Sequence, residues 1–246
     1  KCRVPAISHP QYVNLTLSFD GGSYFTNNVR LFRYVNVPSI NAILPTSGTA
    51  AGGTSVMVYG HDFVSLPDAQ YVCRFQSVLG TSAMITTSGS LVNASQVECT
   101  TPPSDLIGST WLEISMNNGE DWTNHQTIYH YKKPIRVFSM SPHHGSESGG
   151  TTLYLLGRHY YRGESMTCRF EYNNINYEDV TTMTTTAEYI NTTLMVCTTP
   201  KMKKSAFVLA VSITLNGVDW TAVPKGTFQY NIIPTLLTVK PTQVIV

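Results

Sequence analysis

The residues with the widest chemical reach in this chain are five cysteines, at positions 2, 73, 99, 168 and 197. A thiol can serve as a nucleophile, a metal ligand or half of a disulfide, and spacing separates these roles. No Cys-x-x-Cys occurs and no nearby histidine pair completes a four-ligand zinc set, which leaves buried free thiols or disulfides. Three Asn-x-Ser/Thr acceptors, Asn14-Leu-Thr, Asn93-Ala-Ser and Asn191-Thr-Thr, offer attachment chemistry for N-linked sugar. His143-His144 and His159 are the acid-base candidates, but adjacent histidines on an extended segment point to opposite faces, a poor geometry for one metal. Gly-x-Ser-x-Gly, His-Glu-x-x-His and phosphate-loop patterns are missing from the chain. No catalytic, cofactor-binding or metal-ligating residue is therefore expected, and the chain is read as non-enzymatic.

Composition narrows the partners. The 246 residues carry 16 Lys+Arg against 15 Asp+Glu, a formal net charge of +1, with basic runs no longer than Lys203-Lys204. That is not the electrostatic footprint of a nucleic-acid binder. The longest strongly apolar stretch, around Phe207 to Ile213, is far too short to span a bilayer. Ser and Thr make up roughly a fifth of the chain, and 14 tyrosines accompany them, a composition that favours extended structure over helix. With only 13% charged residues, such a surface needs another source of hydration, and sugar on the three acceptors would supply it.

The elements that must position these residues are legible in an internal repeat. Pro45-x-x-Gly48 and Gly52-Gly53-Thr54 return as Pro142-x-x-Gly145 and Gly149-Gly150-Thr151, an offset of 97 residues. Ser55 to Gly60 returns as Thr152 to Gly157, Cys73-Arg-Phe as Cys168-Arg-Phe, and Cys99-Thr-Thr-Pro as Cys197-Thr-Thr-Pro. Asn118-Gly-Glu-Asp-Trp-Thr returns as Asn216-Gly-Val-Asp-Trp-Thr, and Tyr129-His-Tyr as Phe228-Gln-Tyr. The same ruler reads Cys2-Arg-Val-Pro5 and Phe32-Arg-Tyr34 as the second half of an earlier repeat, and Pro234 to Val246 as the opening strand of a later one. The expected organisation is a repeat fragment over 1–36, whole repeats over 37–133 and 134–231, and a first strand over 232–246. Because a half sandwich exposes sheet edges, the native polypeptide is expected to continue on both sides, or a neighbouring copy to donate strands.

Within one repeat, short alternating or β-branched runs such as Val56 to Tyr59, Trp111 to Met116, Thr127 to Tyr131 and Val208 to Thr214 predict strands. Gly52-Gly53, Asn117-Asn118-Gly119 and Asn216-Gly217 predict the turns between them. The spacing predicts an all-β chain, a linear array of seven-stranded immunoglobulin-like sandwiches. Taken in order, these motifs resemble the IPT/TIG family, immunoglobulin-like domains of plexins, Met-type receptors and other surface proteins. The resemblance implies sandwiches that act in series as stalks or binding surfaces. The family also includes DNA-contacting transcription factors and domains appended to starch-converting enzymes; neutral charge and glycan acceptors set this chain apart from the DNA-binding members.

The repeat assigns the remaining residues. Two cysteines recurring at the same two positions predict one disulfide in each unit, Cys73 with Cys99 and Cys168 with Cys197, and leave Cys2 unpaired or pairing outside the chain. Asn93 and Asn191 each lie six residues before the second cysteine of their unit, which strengthens both as glycan sites beside Asn14. Trp122 and Trp220 are expected to pack in the core or on a hairpin, with Asp121 and Asp219 bracing the turn. Short Pro-containing joints such as Lys132-Lys133-Pro134 predict a semi-rigid rod. The expected role is structural: a stalk or filament segment of an extracellular, secreted or surface glycoprotein, meeting copies of itself, other repeats of the same chain or other surface glycoproteins, with no nucleic acid, no membrane insertion in this segment and no cofactor beyond covalent N-linked glycans. The alternatives are a ligand-binding receptor ectodomain or carbohydrate-binding repeats attached to an enzyme.

Overall fold

The computed structural model describes residues 3–67, 69–79, 84–105, 107–123, 127–173, 180–202, 207–232, 237–238, 240 and 243. Cys2 lies outside them, as does most of the segment 232–246. Every regular element among the described residues is a strand, as the composition and the alternating runs predict. β1 (Tyr12–Leu15) and β2 (Arg30–Arg33) form a two-stranded antiparallel hairpin. It contributes no residue to the buried hydrophobic core, and Phe19, Tyr24 and Phe25 beside it are exposed.

The first sandwich runs from β3 (Ser39–Leu44) and β4 (Ser47–Thr49) through β5 (Ser55–His61), β6 (Tyr71–Ser77), β7 (Met84–Asn93) and β8 (Gln96–Thr100) to β9 (Gly108–Ser115) and β10 (Thr127–Lys132). The second repeats this order as β11 (Arg136–Ser141), β12 (His144–Ser146), β13 (Thr152–Arg158), β14 (Thr167–Asn173), β15 (Val180–Asn191), β16 (Leu194–Thr198) and β17 (Phe207–Thr214), adds β18 (Trp220–Ala222), and closes with β19 (Phe228–Asn231). The sequence predicts seven strands per unit. The first has eight because its opening strand breaks at Pro45, which has no N–H to continue a ladder. β3 pairs antiparallel with β5, whereas β4 has crossed to the other layer and pairs parallel with β10. In the second unit the break falls at Pro142, and β12 pairs parallel with β19.

One long strand joins the two layers of each sandwich. β7 pairs with β6 over its first half and with β8 over its second, and Gly89 is the residue paired on both sides, with Tyr71 and with Cys99. β15 does the same, pairing with β14 as far as Thr186 and with β16 from Ala187. The Thr-rich run 181 to 186 is thus a strand, and Thr181, Thr182, Thr184 and Thr186 are exposed on it.

The cores follow from period-two alternation. Val56 and Val58 of β5, and Leu153 and Leu155 of β13, are fully buried, while Tyr154 and Leu156 face out at 50% and 51% exposure. Phe75, Leu112 and Ile114 fill the first core, and Phe170, Val211 and Ile213 the second. Between the layers lie the disulfides Cys73–Cys99, with Cα atoms 6.1 Å apart, and Cys168–Cys197, 6.4 Å apart.

Closing tyrosines form a lock that repeats three times. The hydroxyl of Tyr131 donates to the Pro102 carbonyl at 3.1 Å, Tyr230 to Pro200 at 2.8 Å, and Tyr34 to Pro5 at 2.8 Å. The fragment over 1–36 therefore keeps this contact of a whole unit. Burial pushes the phenols of Tyr71, Tyr160 and Tyr230 up to about 12, and those of Tyr129 and Tyr131 further in the same direction. A folded-state value raised above the unfolded one gives stability that is complete below the unfolded value and lost as the pH rises through the folded value. Urea midpoints are therefore expected to hold steady up to about pH 9 and fall between about pH 10 and about pH 12, where the unfolded chain ionises first. Circular dichroism across that range checks this.

Candidate functional site

Among the described residues, a dense polar cluster sits where the two sandwiches meet. Thr214 ends β17, and the chain turns through Leu215, Asn216, Gly217 and Val218 into Asp219 and Trp220 at the start of β18. Asn216 organises the turn. Its Oδ1 accepts from the backbone N–H of Val218 at 3.1 Å and of Asp219 at 2.8 Å, and Gly217 takes the left-handed conformation at φ 80. Its Nδ2 donates to Asp219 Oδ2 at 2.9 Å, which fixes the carboxylate.

The same two side chains cross to the first sandwich. Asn216 Nδ2 also donates to the Ser47 carbonyl at 2.9 Å, and Asp219 Oδ2 accepts from the Thr49 N–H at 3.2 Å and from the Thr54 hydroxyl at 2.8 Å. Glu164 adds a second carboxylate, accepting from the Thr46 N–H at 2.7 Å and from the Thr46 hydroxyl. Lys132 Nζ lies 5.4 Å from the centroid of the Tyr161 ring. Asn216 is 5% exposed and Thr54 is fully buried, so the Asn216 and Asp219 bonds are shielded from bulk water, where a charged acceptor makes its strongest contacts, whereas the Glu164 pair is exposed. The receptor is the Pro-x-x-Gly to Gly-Gly-Thr base of one unit, and the ligand is the Asn-to-Asp turn of the next.

The turn of the first sandwich is built alike but is one residue longer. Asn117 accepts from the Asp121 N–H at 2.9 Å and donates to Asp121 Oδ2 at 2.9 Å, so Asn117 fills the role of Asn216. Sequence similarity places Asn118 there instead. The extra residue, Asn118, takes the left-handed φ of 62 that Gly217 takes in the sister turn. Asp121 and Asp219 brace their turns as expected, but the second role of Asp219, across the junction, has no local sequence signal.

The tryptophans pack on these hairpins beneath an arginine. Arg74 Cζ stands 3.9 Å from the Trp122 ring centroid and Arg169 Cζ 4.3 Å from that of Trp220. Arg74 is held by Glu113, with Nε 2.7 Å and Nη2 2.6 Å from Oε2, and Arg169 by Ser212 and Glu171. Both indoles are half-buried rather than in the core. The recurrence of Arg in Cys-Arg-Phe beside Trp in Asp-Trp-Thr was the signal for this pair. Phe25, the fragment's counterpart of the tryptophans, is 59% exposed.

The other residues singled out in the sequence lie apart. Asn14, in β1, and Asn93 and Asn191, at the ends of β7 and β15, are all exposed. The Asn93 and Asn191 side chains each accept from the N–H two residues on, at 2.8 and 2.9 Å, in turns that open the following strand. His143 Nδ1 is 3.3 Å from the Thr227 carbonyl and His159 Nδ1 is 3.0 Å from the Pro134 carbonyl.

Among solved structures, the chain is similar to the full extracellular region of plexin A4, with a TM-score of 0.55 at 15% identity. That match covers 94% of this chain and 19% of the plexin chain, so the chain spans about a fifth of the protein it resembles. A weaker likeness, TM-score 0.39 at 8% identity, covers 81% of this chain and 67% of the FN1–FN3 domains of chicken CNTN1. The family model for the IPT/TIG domain matches twice, over residues 38–131 and 136–230, which takes in both sandwiches and both halves of their junction. The chain belongs to the IPT/TIG domain family.

Proposed function

We propose that the chain is a non-enzymatic structural segment of a long extracellular glycoprotein, a semi-rigid stalk or filament of disulfide-stapled, N-glycosylated sandwiches. The observation that carries this reading is the junction. Only Lys133, Pro134 and Ile135 separate β10 from β11, and the Asn216 and Asp219 side chains bond directly to the preceding unit. A junction held by charge-assisted hydrogen bonds restricts the angle between units more than a short linker alone does. Two disulfides and three exposed acceptors fit an oxidising, glycosylating compartment.

Spin labels at Ser90 and Glu188, exposed at corresponding positions of β7 and β15 and outside the glycan acceptors, test the rod. The distance distribution between them is expected to be narrow and to broaden in Asp219→Ala, which removes both bonds from Asp219 to the first sandwich, a loss on the order of 2 kcal/mol. A broad distribution in the unaltered protein would sink the reading. The mass of the secreted protein is expected to fall on glycosidase treatment, with Asn93 and Asn191 converted to Asp. Unmodified side chains at both would remove the glycan part.

A second reading, a ligand-binding receptor ectodomain, draws support from an open cavity of ≈ 940 Å³ where Arg74, Glu113 and Trp122 face the linker residues Val35 and Pro38. Its size falls in the range of ligand sites.

A further inference from the structure

The outer faces of the two sandwiches differ where the repeats otherwise agree. In the second unit, β11, β13, β16 and the later half of β15 lie side by side in one layer. Tyr154, paired with Val196, and Leu156, paired with Leu194, turn away from the core on that layer. Phe138 and Ile190, both exposed, extend the apolar row on either side. In the first unit Glu98 and Gln96 stand at the places of Val196 and Leu194, paired with Met57 and Tyr59, and Asn41 stands at the place of Phe138. That face is hydrogen-bonded within itself: Glu98 accepts from the Ser55 hydroxyl at 2.5 Å, and Gln96 from Asn93 Nδ2 at 2.9 Å. A contiguous apolar face on the second unit alone marks a surface that something covers.

The array itself does not cover it. The first unit has a neighbour on each side, and both reach it at its ends. The second unit bonds to Thr46, Ser47, Thr49 and Thr54, and the N-terminal segment bonds to Asp62 and the Ser65 carbonyl. None of these contacts falls on Met57, Gln96 or Glu98, so the corresponding face of the second unit is not a junction surface either.

A glycan acceptor stands at the edge of the apolar face. Asn191 is paired with Leu194, and Leu194 with Leu156, so acceptor and leucines step across three adjacent strands at about 5 Å per step, on one side of the layer. Asn191 is held through its oxygen, which accepts from the Thr193 N–H at 2.9 Å and hydroxyl at 2.8 Å, and the attachment atom Nδ2 lies on the other side of the amide. N-acetylglucosamine has the matching chemistry. Its ring presents C–H groups on its faces and a methyl on its acetamide, while its hydroxyls lie around the rim and stay in water. A sugar tethered at Asn191 is also held near the leucines at high effective concentration.

We propose that the N-linked glycan of Asn191 folds back over the second sandwich, with its first two N-acetylglucosamine residues packed on Leu194, Leu156 and Tyr154. The glycan of Asn93, beside Gln96 and Glu98, extends into water instead. The proposal rests on the reading that these acceptors carry sugar, and it gives one of them a task that the others lack.

The test uses the secreted, glycosylated chain, with Asn191→Gln and Asn93→Gln as variants and the apolar dye 1-anilinonaphthalene-8-sulfonate as probe. Dye fluorescence is expected to rise several-fold in Asn191→Gln and to stay unchanged in Asn93→Gln. Glycosidase release from the folded chain in an Asn14→Gln, Asn93→Gln background is expected to give the same rise, which separates uncovering from misfolding. Adding Leu194→Gln and Val196→Glu, the sister unit's residues, is expected to abolish the rise. Nuclear Overhauser contacts between the N-acetylglucosamine protons and the Leu156 methyl groups show the packing directly. An occupied Asn191 whose removal leaves dye binding unchanged, or a glycan without those contacts, overturns this proposal and leaves the glycoprotein reading standing. An unmodified Asn191 overturns both. Association of the glycosylated chain that Leu156→Ser abolishes would place a second copy on the face and overturn the glycan as its cover.

Discussion

Replacing Cys168 and Cys197 together by alanine is expected to destabilise the second sandwich by about 3–4 kcal/mol while leaving the first nearly unchanged. The bond closes a loop of sequence separation 29, and the chain-entropy relation for a loop of that size gives about this magnitude. Both cysteines are 1% exposed or less, so the substitution also removes packed sulfur from the core. Cys73 and Cys99, with a separation of 26 and no exposure, predict the mirror result for the first unit. Guanidinium unfolding followed by tryptophan emission should then show two transitions, with the altered unit melting first. Equal loss from both units, or no loss, would contradict independent staples.

Gly157→Ala is the second large expected effect, about 3 kcal/mol against the second unit. Gly157 ends the alternating run of β13, and a methyl group there would overlap the Arg136 carbonyl oxygen and the Tyr160 hydroxyl. The carbonyl belongs to the paired strand β11, so relief requires a backbone shift. Gly150→Ala is the control. Its φ of 76 is a left-handed conformation, but open space surrounds the position, so the cost is only the conformational one of about 1–2 kcal/mol. Urea midpoints that order these two the other way would show that local conformation, not close approach, selects the repeated glycine.

These two positions also show why so much of the fold was readable. Gly60 and Gly157 recur because a neighbouring carbonyl excludes any side chain, and the cysteines recur because both members of each pair must meet across the layers. Such constraints act on residue type at fixed positions, so they leave a visible period. What stayed hidden depends on distance along the chain or on one inserted residue. Thr54 and Asp219 are 165 residues apart, and nothing near either announces the other. The inserted Asn118 shifts the turn so that identical letters, Asn118-Gly and Asn216-Gly, occupy different roles. The break of the opening strand at Pro45 was concealed because a proline marks where pairing stops and not where the chain goes next.

That break has a consequence for a molecule held at both ends. The chain enters the first sandwich through β3, passes Pro45 into β4 and leaves through β10; β4 and β10 are parallel neighbours, as are β12 and β19 in the second. Tension drawn along the polypeptide pulls such a pair past each other lengthwise, so their hydrogen bonds share the load and must fail together rather than unzip one at a time. If a unit does give way, its disulfide still withholds the loop between Cys73 and Cys99, or between Cys168 and Cys197, from extension. Each sandwich is thus both a shear clamp and a limited reserve of length.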